Sequence, residues 1–382
     1  MTRKDTKLVE LGRNPSAHNG AVNVPVYRVS TVIFPDVETM LTENQPYTYG
    51  RRGTPTTRAL EEAICALEGG ARTVLTPSGL SACTLSILAV CGAGDHILVA
   101  DSVYGPTRIF CDKMAKRFGI TTTYFEPLIG GGIAKLFRTE TKAVFLESPG
   151  SLTFEVQDVP AIAAAARPKG IAVIIDNTWA TPLHFNALAH GCDLSVHSAT
   201  KYIAGHADAL LGTVTANAAY KDKLVAAHGT LGLCASGDDA FLTLRGLRTL
   251  GARLRRQQET ATELAVWLKS RDEVARILYP PLHDDPGHAI WKRDFTGACG
   301  LFGVVLKPAS PKAVAAMLDG LKHFGLGYSW GGFESLIIPA RYHRDFPPKF
   351  EGPLIRIHAG LEDVEDLRAD LAAGLERFKQ AS

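Results

Sequence analysis

Charge of one sign is what this chain lacks most plainly. It sets 41 Lys and Arg against 39 Asp and Glu, a formal net charge of +2 over 382 residues. That balance removes the electrostatic case for nucleic acid as a partner. The only basic cluster, Arg253, Arg255 and Arg256, lies in a helical pattern and reads as a solvated face or a subunit contact. The 7 cysteines form no CxxC pair, which argues against a disulfide framework and against a zinc cluster, so no metal is expected. Cys65, Cys83, Cys91 and Cys111 stand among apolar neighbours and read as small core residues. No apolar run approaches the roughly 18–20 residues of a membrane span. The N-terminal MTRKDTKLVELGRN has no apolar stretch for a signal peptide. The expectation is a soluble cytoplasmic protein with no membrane partner.

What is present is enough apolar residue for a large core, at 46% hydrophobic. The length suggests two or three domains at roughly 100–200 residues each. Residues 1–48 show little period and read as an arm that contacts a neighbouring subunit, with one helix near Val37 to Glu43. From about 58 to 217 strand and helix patterns alternate. Strands are predicted at 72–75, 96–100, 121–125, 142–147, 171–176 and 194–197, with helices at 58–67, 79–90 and 107–118. The run Ile171-Ala-Val-Ile-Ile-Asp is apolar without alternation, as for a strand buried on both faces. Such alternation predicts an α/β fold with a mostly parallel, doubly wound sheet, whose ligands sit beyond the C-terminal strand ends. A long helix over 239–269, interrupted near Gly246 and Gly251, leads into a smaller α+β C-terminal lobe. Its strands are predicted at 274–279, 301–306, 336–339 and 354–358, and its helices at 311–321 and 363–378. The large domain is placed at 49–245 and the small one at 246–382.

Six segments carry candidate chemistry. Ser198-Ala-Thr-Lys-Tyr follows a strand, so Lys201 sits where ligands bind. A desolvated lysine there forms a Schiff base with an aldehyde cofactor, and Ser198 and Thr200 suit a phosphate. A surface turn with an ordinary lysine is the alternative. Asp176 ends an apolar strand and needs a partner, either a protonated pyridine nitrogen or the next turn. Thr76-Pro-Ser-Gly-Leu-Ser-Ala joins a strand to a helix and points free N–H groups of Gly79 and Leu80 at an anion, unless it is a plain helix start. Tyr104, beyond another strand, can stack on a planar ligand or fill the rim. Tyr49 and Arg51 occupy a loop that suits phosphate recognition or a solvated turn. Arg356, between Ile355 and Ile357, faces opposite to them, and it either forks onto a carboxylate or faces solvent. A dinucleotide-binding Rossmann unit is disfavoured because no GxGxxG follows the first strand.

In this order the segments resemble the Cys/Met-metabolism family of pyridoxal-phosphate (PLP) enzymes of fold type I, over about residues 5 to 378. The densest match, Val196 to Gly212, holds Ser-Ala-Thr-Lys-Tyr and the following Gly-His-Ala-Asp. The resemblance implies PLP as cofactor, Lys201 as its Schiff-base lysine and the general base, and Asp176 as the pyridine-nitrogen partner. Tyr104 is implied as the stacking residue and, with Lys201, as a candidate proton donor to the leaving thiol. Gly79, Leu80, Ser198 and Thr200 are implied as phosphate contacts, with Leu80 standing where many members have Met. Tyr49 and Arg51 resemble the pair that reaches the phosphate of an adjacent subunit. That implies a homotetramer, a dimer of dimers, with active sites at the dimer interface. Tyr328-Ser-Trp-Gly-Gly-Phe-Glu-Ser, Gly105-Pro-Thr and Glu147-Ser-Pro-Gly-Ser resemble the β-lyase branch, with Ser329, Trp330 and Arg356 around a substrate carboxylate. The implied activity is cleavage of the Cβ–S bond of L-cystathionine to homocysteine, pyruvate and ammonia. A broader cysteine-conjugate β-lyase, a γ-lyase or γ-synthase on the same scaffold, and a catalytically silent binding member are the competing readings.

Overall fold

A computed structural model describes residues 2–348 and 350–382. Seven strands build the large sheet: β1 (Arg72–Thr76), β2 (His96–Ala100), β3 (Thr121–Phe125), β4 (Thr141–Glu147), β5 (Ala172–Asp176), β6 (Leu194–Ser198) and β7 (Gly212–Ala216). Their order is β1-β7-β6-β5-β4-β2-β3. Only β7 runs antiparallel to its neighbours, β1 and β6. The central strands are apolar along their length because helices cover both faces. A second sheet, β10-β11-β12-β9-β8, is built from β8 (Val274–Leu278), β9 (Leu301–Leu306), β10 (Gly325–Leu326), β11 (Leu336–Pro339) and β12 (Leu354–His358). The α/β class and the sheet of fold type I follow the sequence closely. The parallel strands β2, β4, β5 and β6 end on one edge, which brings Asp101, Glu147, Asp176 and Ser198 together.

The helix between the sheets corrects an expectation. It runs unbroken from Gly237 to Lys269, 33 residues, with Ser236 as N-cap and two aspartates in its first turn. Its glycines make room where interruptions were predicted. A Cβ on Gly246 would collide with the carbonyls of Ile203 and Ala204, and one on Gly251 would meet Asp5 and Leu8. The anticipated boundary at residue 245 lies within this helix, which links the two sheets. Gly251 admits a helix that the sequence reading missed, Lys4–Glu10. That helix buries Leu8, pairs Asp5 with Arg255 and offers two carbonyls to Arg248. The predicted arm helix is present as Val37–Thr42, capped by Asp36.

A second clasp joins the lobes at Asp101, which follows β2 and is buried. Its carboxylate accepts hydrogen bonds from Arg108 (2.5 Å), Arg344 (3.2 Å) and the backbone N–H groups of Asp345 and Phe346 (3.1 and 2.7 Å). The irregular segment between β11 and β12 is thereby tied to the large sheet.

Replacement of Gly246 by Val should lower the stability of the apoprotein by about 1–3 kcal/mol through overpacking. The measurement is the urea midpoint, and an unchanged midpoint would show that the helix can shift away from the Ile203–Ala204 carbonyls.

Candidate active site

Lys201 lies on a tight turn after β6. Within it Lys201 N–H donates to Ser198 O (3.0 Å) and Gly205 N–H donates to Lys201 O (2.8 Å). Gly205 has φ +71°, and any side chain there would displace the guanidinium of Arg253. That guanidinium is buried and donates to Tyr202 O and Gly246 O (both 2.8 Å) and to Ile203 O (3.4 Å). Arg253 therefore corrects the reading of the basic cluster as a solvated face. Arg255 and Arg256 are exposed, but Arg253 satisfies the carbonyls of the lysine turn.

The ammonium of Lys201 donates to Ser329 Oγ at 2.8 Å and stands 5.4 Å from the Trp330 ring centroid. Burial and the neighbouring Arg356 bring its pKa down to about 8, against the opposing pull of Asp176. Arg356 is itself buried and donates through one nitrogen to Tyr328 O (2.7 Å) and Ser329 O (3.0 Å). Lys201, from the large domain, thus meets a wall of the small lobe made by Ser329 and Trp330 of the 328–335 loop and by Arg356 of β12.

The facing wall holds two carboxyl groups side by side. Glu147 and Asp176 are register partners on the parallel pair β4–β5, so both point the same way. Asp176 Oδ1 accepts from Thr178 N (3.0 Å) and Thr178 Oγ1 (2.5 Å), and the Cys83 thiol lies 3.6 Å from its Oδ2. None of these partners is a cation. Glu147 Oε2 accepts the backbone N–H of Tyr104 at 2.6 Å. Burial and the charge of Asp176 hold the Glu147 carboxyl well above the ordinary range. Tyr104 is half-exposed, and its phenol is raised by burial and by the nearby Cys83, Glu147 and Asp176.

Gly79 and Leu80 open the helix Gly79–Leu88, whose N-cap Ser78 accepts only the Ser81 N–H (3.2 Å). The first two N–H groups are left free, as at any helix N-terminus. A Cβ on Gly79 would run into Ser198, so glycine lets the helix end and the lysine turn form one concave cup. Ser198 is fixed by its N–H to Thr178 Oγ1 (2.8 Å). The Thr200 hydroxyl donates to Leu211 O (3.2 Å) and accepts from Leu211 N (2.9 Å).

Two expected residues are not part of this cluster within one chain. Arg51 donates to Gly229 O (3.1 Å) and stacks near Tyr49. It lines a separate cavity with Arg52, Arg58, Arg72 and His228, on the β1 side. The sequence reading missed Glu147, Cys83 and Arg253 as parts of the site. Glu147 had a legible signal, because it ends a strand next to the one that ends in Asp176.

The family model "Cys/Met metabolism PLP-dependent enzyme" matches residues 5–376. The cystathionine beta-lyase of Escherichia coli (strain K12) is 46% identical over 98% of both chains. The cystathionine beta-lyase of Salmonella typhimurium is 45% identical over 99% of this chain and 100% of its own. Among solved structures, the cystathionine gamma synthase of Xanthomonas oryzae superposes with a TM-score of 0.93 at 34% identity over the whole of both chains.

The depressed lysine gives a pH test. A lysine amine attacks an aldehyde only when neutral, and here it is neutral above about 8 rather than above 10.5. Capture of added pyridoxal phosphate by the apoprotein should therefore speed up as pH rises through about 8. Stopped-flow absorbance would read the midpoint, and Lys201→Ala should show no capture. A midpoint near the ordinary lysine value would contradict the desolvated setting.

Proposed function

The chain belongs to the Cys/Met-metabolism family of PLP-dependent enzymes, and from that membership we propose how its own residues divide the work of a carbon–sulfur lyase. The reaction is β-elimination on L-cystathionine, which takes up one water in all and releases homocysteine, pyruvate and ammonia. The observation that carries the reading is the shared wall of Lys201, Ser329 and Arg356. An amine of lowered pKa stands 2.8 Å from a hydroxyl whose own backbone carbonyl accepts from the buried guanidinium of Arg356.

The residues fit PLP. A buried carboxylate without a cationic partner suits a protonated pyridine nitrogen. The cup at Gly79, Leu80 and Ser198 offers free N–H groups where a Cβ would not fit. Bound there, PLP supplies an electron sink that stabilises negative charge at the substrate Cα.

Each residue then has an assigned task. Lys201 anchors the cofactor and, when free and neutral, takes the Cα proton. Asp176 keeps the pyridine nitrogen protonated. Tyr104, seated by Glu147, stacks on the ring and with Lys201 returns a proton to the departing sulfur. Arg356 forks onto the α-carboxylate, and Ser329 and Trp330 close the wall beside it. Gly79, Leu80, Ser198 and Thr200 hold the phosphate. Tyr49 and Arg51 serve the site of an adjacent subunit, so the working unit is a dimer built into a homotetramer. The exposed apolar residues of the arm and its helix, Ile33, Val37, Met40 and Leu41, support that assembly, since they are 58–83% exposed in one chain. The 1–48 arm, a 49–245 cofactor domain and a 246–382 small domain are the proposed divisions. No helix among the described residues is long and apolar enough to cross a membrane. Seven free cysteines favour a reducing cytoplasm as the working compartment.

Product analysis on L-cystathionine is the direct test. Pyruvate and homocysteine are expected in equal amounts, whereas cysteine and 2-oxobutyrate would place the cut at Cγ. Sedimentation of the holoenzyme tests the assembly, with a species four times the 41.0 kDa chain expected. A stable, fully active monomer would refute the shared site.

A further inference from the structure

β12 sends two alternate side chains toward the 328–335 loop: Arg356 and, two residues on, His358. His358 is completely buried. Its Nε2 lies 3.1 Å from the N–H of Gly331 and 3.3 Å from the carbonyl of Gly332. That carbonyl already receives Gln257 Nε2 at 2.7 Å. Two N–H groups cannot face each other at 3.1 Å, so Nε2 carries a lone pair and accepts from Gly331.

Gly331 is where this hydrogen bond acts. Its φ is +82°, and a Cβ there would lie 2.8 Å from Tyr202 N and 2.9 Å from Lys201 C. The loop therefore rests with bare backbone on the Lys201–Tyr202 peptide. Two residues earlier, Ser329 meets the amine of the same lysine. The Tyr202 ring fills the space between, edge-on to His358 at 5.8 Å and tilted toward Trp330 at 5.4 Å.

We propose that His358 is a positioning residue for Lys201: by accepting the Gly331 N–H it seats the 328–332 turn on the Lys201–Tyr202 peptide and so holds Ser329 against the lysine amine. The proposal rests on Lys201 being the cofactor-bearing lysine. The charged groups around the pair are few. Arg356 and Asp176 act on Lys201, and Arg356 and Lys201 act on His358. Gln257 and Tyr202 are the uncharged polar neighbours of the imidazole. Burial and the two cations press the imidazole pKa down to about 3, so the acceptor persists throughout the working pH range. A protonated ring would lose that acceptor and add a third cation to the wall.

The holoenzymes of His358→Gln, His358→Asn and His358→Leu separate positioning from packing. The amide of Gln reaches the place of Nε2, that of Asn only the place of Nδ1, and Leu has no acceptor. Gln should keep kcat within about threefold of wild type. Asn and Leu should lose about 10- to 100-fold in kcat, the scale of an approximately 1 Å misplacement. In those two, water reaching Lys201 relieves its desolvation. The acid limb of kcat/KM and the pH midpoint of cofactor capture should both move to higher pH. Amide exchange at 329–332 should also speed up. Equal losses in all three variants, or an unmoved limb with unchanged exchange, would reduce His358 to packing. Lys201→Ala serves as the control for the underlying reading. Retention of the lysine-bound absorbance in that variant would overturn the function whatever the His358 series shows.

Discussion

A lysine that must shed its proton near neutral pH has to be kept out of water without being handed a close anion, and that requirement shapes both walls of the cleft. Lys201 meets it through burial and the adjacent guanidinium of Arg356, with its one direct partner a neutral hydroxyl. Asp176 faces it from across the cleft but forms its own bonds with Thr178. A carboxylate moved to Ser329 would hold the amine protonated. A wetter wall would do the same at lower cost in geometry. The backbone of the loop bearing Ser329 is correspondingly held at several points. Arg356, His358 and Gln257 hold its backbone, and Ser335 is bonded through N and Oγ to Glu362 (both 2.7 Å).

The two lobes must then be fixed to each other, since one supplies the amine and the other the wall. Three devices do this. The unbroken helix Gly237–Lys269 packs by Gly246 against the carbonyls of Ile203 and Ala204, just after Lys201. Arg253, from the middle of that helix, bonds the same turn. The Asp101 clasp ties the segment before β12 to the base of the Tyr104 helix. Arg108 lies four residues after Tyr104, one helical turn away, so the clasp also steadies the backbone that presents the phenol.

Much of this was legible before any coordinates. Strand patterns placed β2, β3, β9, β11 and β12 to the residue, and in β2 and β9 the signal is the nearly continuous apolar run of a fully buried strand. Lys201, Asp176, Gly79 and Tyr104 were singled out because each lies at or just beyond a strand end or opens a helix on the ligand edge. Errors arose where tertiary packing overrides local propensity. Gly246 and Gly251 look like helix breakers by composition, yet they are close-approach sites whose value depends on chains 42 and 246 residues away in sequence. Arg253 looks like its exposed neighbours Arg255 and Arg256, and only the helix phase against the lysine turn buries it. The helix Lys4–Glu10 is too short and polar to announce itself and owes its order to Leu8 and Arg248. Tyr49 and Arg51 were read as pieces of a neighbour's site, and within one chain Arg51 lines a separate cavity on the β1 side.

Glu147 and Asp176 show how identical chemistry is given opposite duties by surroundings alone. They occupy matching positions on adjacent strands, so both cannot carry charge cheaply. Thr178 gives Asp176 two short donors on one oxygen, and the Cys83 thiol approaches the other. Glu147 receives a single backbone N–H. Donors favour the ionised form and burial disfavours it, and burial together with the neighbouring Asp176 raises the Glu147 carboxyl well above the ordinary range. The cleft thereby sets beside Asp176 a carboxyl of raised pKa that accepts the Tyr104 N–H. Tyr104 is thus positioned by a carboxyl whose charged form burial disfavours, beside the desolvated setting on which Lys201 depends.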